Sequence, residues 1–467
     1  MLLNKPLPFV ERFVDELDTG LRAHEPTKGL SSTQRKWLGF CLMGILLTNS
    51  LCWARFERAS LGKYKQSALS WMFHHSQIAW ILVLQVSVGL VLLQHGISQG
   101  ILSTDDSDHR RSKTTKRIFK AHKLKDKKSG GYINGQSIVL LVLVTPKVTL
   151  PVGFSFYQAD PIRRMWKKED ERLKQKGVAK KNRPPAPAPN PAYPTKAQLA
   201  LQLMGQFHHY HSQIKVKAVV ADTLYGQQYF MDAASRLFDG CQVISQLRNN
   251  QNIRYRNCKY HVRTYFSKFP GVNQSFRIRG KEPINASVGS ARLEVCAHRQ
   301  KRFVIALKYP GEKEYRYLVA TDLSWRTLDI IQAYSLRWLV EVFIEDWKSY
   351  EGWAQLAKQQ GEEGSSRGLS LSLLLDLCLL LHPEQLARVE NNLPAYTVGS
   401  LQQTIQMEAL LAGIKRIVHA PNPAKQLALL AQSVKDFFIL RPSSKHMSGK
   451  DLGRLEPTSS LKHRAVA

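Results

Sequence analysis

Four strand-length runs set the frame of the chain. Residues 138–144 (IVLLVLV) are rich in β-branched side chains, and Thr145-Pro146-Lys147 separate them from a second run at 148–157. Turn residues between two such runs read as a β-hairpin. Residues 215–221 (KVKAVVA) and 241–247 (CQVISQL) read as two further strands, with a helix-like segment at 227–238 between them. Short alternating segments broken by Gly and Pro then fill residues 255–323, a β-rich stretch of about 70 residues. On either side the texture is helical. Residues 7–17, 34–53 and 63–73 carry helix-spaced apolar residues before the strands, and 327–353 and 369–381 do so after them. Residues 174–196 are basic and Pro-rich, which predicts an extended loop, and 443–467 read as a polar, basic tail.

Charge narrows the partner. The 467 residues hold 67 Lys and Arg against 36 Asp and Glu, a net charge of +31. Self-repulsion of that size opposes compaction, so a polyanion is the natural partner, with nucleic acid ahead of an anionic membrane. The apolar content of 43% is enough to bury real cores and excludes wholesale disorder. Six cysteines without C-x2-C or C-x4-C spacing offer neither a zinc ribbon nor a redox pair, and fit reduced thiols. Four acids by position 18 argue against a signal or transit peptide. Residues 37–53 and 66–104 lack charge, but the densest apolar part of the second, 78–93, is shorter than the roughly 20 residues of a spanning helix. Buried core is the expectation there.

The most specific feature lies in residues 331–350, IQAYSLRWLVEVFIEDWKSY. On a helix Tyr334, Arg337, Glu341 and Lys348 fall within about 60° of arc and share one face. A hydroxyl, a guanidinium, a carboxylate and an ammonium in one row suit a metal-bound phosphate. An amphipathic helix with a solvated polar face, on which Glu345 pairs with Lys348, is the plainer alternative. The spacing Tyr-x2-Arg-x3-Glu-x6-Lys resembles the YREK signature of DDE transposases of the insertion-sequence-four type. Two further segments resemble the aspartate motifs of that family: VKAVVADTLYG, which ends a strand in Asp222, and GILSTDDSDHRRSK, which carries Asp105-Asp106-Ser107. A helix cap is the plainer reading of Asp222, and a charged turn that of the Asp105–Asp106 pair.

The resemblance implies an α/β chain with an RNase H-like catalytic core and a β-rich insertion, flanked by helical N- and C-terminal regions. Residues 1–98 would be a helical DNA-binding region, 99–354 the core with its insertion at about 250–323, and 355–467 the C-terminal region. It also implies that Asp105, Asp222 and Glu341 are catalytic and hold metal, with Asp106 the alternative to Asp105. Oxygen-only ligands favour Mg²⁺, with Mn²⁺ as substitute, in a pair about 4 Å apart. Arg337, Lys348 and Tyr334 would contact DNA phosphates. The run at 109–128 holds ten Lys or Arg against one Asp, so Arg110, Arg111 and Lys113 read as a phosphate-backbone track. The implied activity is cut-and-paste DNA transposition at the ends of an insertion sequence. A nuclease of the same core without strand transfer, or a DNA-binding protein, is the alternative. Expected partners are double-stranded DNA, as terminal inverted repeats and target, and a second copy of the chain. No membrane is expected, and the bacterial cytoplasm, at the nucleoid, is the expected location.

Overall fold

The computed structural model describes residues 6–60, 62–111, 117–125, 130–277, 283–353, 359–393 and 395–437. Five helices open the chain: α1 (Pro8–His24), α2 (Ser32–Thr48), α3 (Trp53–Ala59), α4 (Gln66–His75) and α5 (Trp80–Gln94). A capping box between Ser31 and Gln34 starts α2, and nearly every residue of that helix from Trp37 onward is buried. β1 (Gln99–Arg110), β2 (His122–Lys125), β3 (Tyr132–Val144) and β4 (Thr149–Tyr157) follow. The hairpin expected around Pro146 is present as antiparallel β3 and β4. Next come α6 (Pro161–Gln175), α7 (Lys196–Tyr210), β5 (Lys215–Ala221), α8 (Gln228–Leu237) and β6 (Gln242–Leu247).

β1 pairs antiparallel with β3 and parallel with β5, and β5 pairs parallel with β6. The order β4-β3-β1-β5-β6 is that of an RNase H-like sheet. Both faces of β3 are covered, so its residues are buried without alternation from Gly135 to Val144.

The β-rich stretch extends this sheet. It contains β7 (Asn252–Tyr255), β8 (Cys258–His261), α9 (Val262–Lys268), β9 (Val272–Phe276), β10 (Ile284–Val295), β11 (Gln300–Lys308) and β12 (Arg316–Ala320). β12 lies antiparallel against β6, so core and insertion form one continuous 12-stranded sheet. The all-β expectation is corrected at α9, where Val262, Tyr265 and Phe266 bury one side of a two-turn helix.

The helix expected over 327–353 is two helices, α10 (Thr327–Ser335) and α11 (Trp338–Tyr350). At the junction Ser335 Oγ donates to Gln332 O, and the amides of Arg337, Leu339 and Val340 reach back three residues instead of four. The side-chain bond competes with the helix ladder and tightens the turn. α12 (Gly361–Leu380), α13 (Pro383–Glu390), α14 (Val398–Val418) and α15 (Pro423–Phe437) complete the described chain; the tail at 443–467 lies outside it.

One apolar cluster runs from α1, α2 and α5 through the β1, β3 and β4 face to α11, α12 and α14. α12 is buried for most of its length, as expected of a bundle core. Among the described residues no single helix is long and apolar enough to cross a membrane; three bent pairs reach the length only together. All six cysteines are free.

His211 ties three layers together. Its buried Nε2 lies 3.1 Å from Gln85 Oε1 on α5, and Gln85 Nε2 donates to Val152 O on β4. Burial pushes the His211 imidazole down to about 4. A histidine held neutral in the fold contributes stability above its unfolded value near 6.5, and that stability is lost as pH falls toward 4. His211→Asn is therefore expected to remove up to about 3 kcal/mol of the stability difference between pH 7 and pH 4. Urea unfolding at the two pH values measures this; an unchanged difference refutes it.

Candidate active site

Strand register puts two acids side by side. Thr104 pairs with Ala221 across the parallel β1–β5 pair, so Asp105 and Asp222 follow at adjacent positions. Asp105 lies within β1 opposite Leu140, not in a turn. Asp222 directly follows β5; its Oδ1 accepts from Leu224 N at 2.8 Å and its carbonyl accepts from Ser245 Oγ at 2.6 Å. The capping role expected of an aspartate after a strand is thus present too. Gly226 closes this loop against β6, where a Cβ would lie 2.5 Å from Gln246 O.

Arg337, at the α10–α11 junction, brings in the third acid. Its guanidinium donates to Asp105 Oδ2 at 3.2 Å and to Glu341 Oε1 at 2.5 Å. It also lies over the Tyr334 ring, 5.9 Å from the centroid. Lys348 Nζ donates to Asp108 O at 2.9 Å, which fastens the end of α11 to β1. A cavity of about 660 Å³ is lined by Asp105, Asp106, Asp222, Gln246, Tyr334, Arg337, Glu341, Glu345 and Lys348, with Thr223 and Ile344. Despite the helix break, all four residues of the spaced motif border it.

Asp105 and Asp106 both border the cavity but have different partners. Asp105 meets Arg337, while Asp106 is held by Lys196 Nζ at 2.5 Å, from the first turn of α7. Burial, then the nearby Asp222, pushes the Asp105 carboxyl up to about 6, against the Asp106 amide and Arg337, which pull it down. Asp222 is raised as well, by burial and then by Asp106. The buried Tyr334 hydroxyl is pushed up to about 12 by desolvation and has no hydrogen-bond partner among the described residues.

Two residues here escape a reading of motifs. Tyr225 sits three positions after Asp222, fully buried, with its hydroxyl near Thr104. Desolvation, then Asp106, Asp105 and Asp222, raises its pKa. The Asp-x2-Tyr spacing was the available signal. Lys196 lies 90 residues from Asp106, and nothing local marks it.

The basic run divides. Arg110 is exposed at the end of β1. Arg111 turns inward: its Nε donates to Gln136 Oε1 at 2.9 Å, and its guanidinium lies 5.0 Å from the Trp353 ring. Lys113 lies outside the described residues. Trp338, beside Arg337, is 49% exposed and is not a core aromatic.

An all-carboxylate donor set suits a hard divalent cation. Among the described residues no group of three or more His, Cys, Asp or Glu side chains converges closely enough to hold an ion. Arg337 stands between Asp105 and Glu341 and donates to both.

The insertion reaches the same loop through a buried chain. Arg302 is paired with Asp232 on α8, and its Nε donates to His298 Nδ1 at 3.2 Å. His298 Nε2, thereby left with the proton, donates to Gly226 O at 3.1 Å. Gln300 Nε2 adds a bond to Asp232. Arg302→Ala is expected to cost on the order of 3 kcal/mol by stranding Asp232 and freeing the His298 ring. An unfolding midpoint equal to wild type refutes the coupling.

Among known families, the model described as DDE superfamily endonuclease matches residues 26–263. The match includes Asp105, Asp106 and Asp222 and stops before Glu341. No curated protein matches the chain.

Proposed function

Because the chain belongs to the DDE superfamily endonucleases, whose substrate is DNA and whose members generally use divalent metal ions, we propose that it is a transposase of the insertion-sequence-four type. It cuts DNA at the ends of its element and joins the freed 3′ ends to a target. The observation that supports this is the convergence of Asp105, Asp222 and Glu341, from two strands and a later helix, on one cavity with Tyr334, Arg337 and Lys348.

In this reading Asp105, Asp222 and Glu341, once drawn together from the spacing seen here, would hold two Mg²⁺ ions, or Mn²⁺ in their place. Bound there, the ions would supply activation of the attacking oxygen and stabilisation of the leaving one during in-line displacement at phosphorus. The rest falls to side chains. Arg337, which spans Asp105 and Glu341, would turn its two donors to phosphate oxygens, the bidentate geometry that arginine favours. The unpartnered Tyr334 hydroxyl gains an acceptor in the same phosphate. Lys348 keeps α11 against β1 and adds positive charge beside the scissile bond. Asp106, neutralised by Lys196, stays out of the ligand set. Two DNA ends processed together call for two copies of the chain in the working complex.

Cleavage of a duplex carrying the flanking ends of the chain's own gene, with Mg²⁺ and with EDTA, tests the reading. Wild type is expected to cut only with metal, and Glu341→Gln to lose at least 100-fold in rate while still binding DNA. Cleavage that survives Glu341→Gln removes Glu341 from the site and points to Glu345. A pre-cut end separates the finer alternatives: joining to a target plasmid supports transposition, and cutting without joining leaves a nuclease.

A further inference from the structure

α6 and the Pro-rich segment behind it form an arm beside the carboxylates. α6 buries none of its residues, so its charge serves no core. The arm is nevertheless ordered by specific contacts. Trp166 Nε1 donates to Pro184 O at 2.8 Å, and Arg183 pairs with Asp170 at 2.9 Å, which pins the returning chain along the helix. The extended loop expected at 174–196 is therefore a segment tethered along α6.

Charge on the arm is sorted along its length. The three acids of α6 are contiguous, and each has a partner: Glu169 with Arg172, Asp170 with Arg183 and Glu171 with Lys174. The first turns carry Arg163, Arg164 and Lys167, and among the described residues none of these is in an ion pair. Arg163 Nε is buried without a hydrogen-bond partner. All three line a groove of about 870 Å³, together with Asn190, Gln198 and Gln227. Asp160 is the one carboxylate at its rim, and its Oδ1 is committed to the amides of Ile162 and Arg163 at the start of α6. The groove lies next to the catalytic cavity: Thr195 lines it, and the next residue, Lys196, holds Asp106.

Unpaired guanidinium and ammonium groups backed by side-chain amides are the donor set that phosphodiester oxygens accept from. A concave channel with a buried guanidinium nitrogen fits a narrow polyanionic strand and not a flat lipid surface. We propose that this arm clasps one backbone of duplex DNA that continues from the strand held at the carboxylates. The proposal rests on the nucleic-acid reading above and assigns it a second, non-catalytic grip.

Fluorescence anisotropy of a labelled mixed-sequence duplex, titrated with the full chain at several salt concentrations, tests it. The arm variant is Arg163→Ala/Arg164→Ala/Lys167→Ala, and the control removes the same charge from the insertion as Lys259→Ala/Lys268→Ala/Lys313→Ala. Each phosphate contact contributes about 0.9 to the slope of log K against log salt. The arm variant is expected to lose about 2–3 from that slope and at least tenfold in affinity, and the control much less. Gln replacements at the three arm positions should reproduce the loss, and thermal unfolding should not move, because α6 lies outside the core. Equal slopes for wild type and arm variant overturn the arm and leave the nucleic-acid reading standing. Equal flattening by both triples also overturns it, as an effect of net charge alone. A loss confined to anionic vesicles overturns it in favour of a membrane contact. A wild-type chain that binds no duplex removes the nucleic-acid reading and the arm together.

Discussion

Acids gathered in a half-buried cavity repel one another, and desolvation favours their neutral forms; the guanidinium of Arg337 opposes both effects. It spans Asp105 on β1 and Glu341 on α11, residues that approach only because the chain has folded around them. The offset is partial, since Asp105 still rests near 6. In the proposed reaction a stronger positive charge would replace Arg337, and the displaced guanidinium would then be available to an anion. Its position at the break between α10 and α11 allows one side chain to face both a strand and a helix. A straight helix would have aimed it along a single row.

The surrounding structure holds this arrangement from three sides. Parallel pairing of β1 and β5 fixes the spacing of the two aspartates. Buried Trp347, stacked on Trp353 at 4.8 Å and bonded through Nε1 to Ser372, seats α11 on α12. Glu351 and Asp376, both buried at that seam, are raised first of all by desolvation. From the third side, the Asp232–Arg302–His298 chain steadies the loop that follows Asp222. The insertion thus supports the chemistry as well as enlarging the surface.

Most strands were legible because their signal is local. The runs at 138–144, 215–221 and 241–247 are β-branched and bounded by turn residues, and each appears within a residue or two of the expected place or inside a longer strand. The three acids could be chosen because the resemblance supplied an order. The plainer alternative for Asp105 was a charged turn, since an Asp-Asp-Ser-Asp stretch has no strand propensity; pairing on both sides of β1 overrides it. The helix break was hidden because Ser335 acts through a bond that leaves the apolar spacing intact. Lys196 and Arg302 were invisible for a different reason: each serves a carboxylate far away in the chain. Arg111 shows the converse, a residue in an evident basic run that folds onto an aromatic ring.

The boundary of recognisable similarity, residue 263, falls inside α9, in the middle of an unbroken sheet. A fragment cut there would keep β6 but lose β12, the strand that covers its outer edge along Ile244–Leu247. Bare backbone donors and acceptors on a buried, apolar strand are a template for pairing with other chains. Such a fragment would self-associate instead of standing alone. Whatever history joined the two halves, the chain now has no seam at which they can be parted.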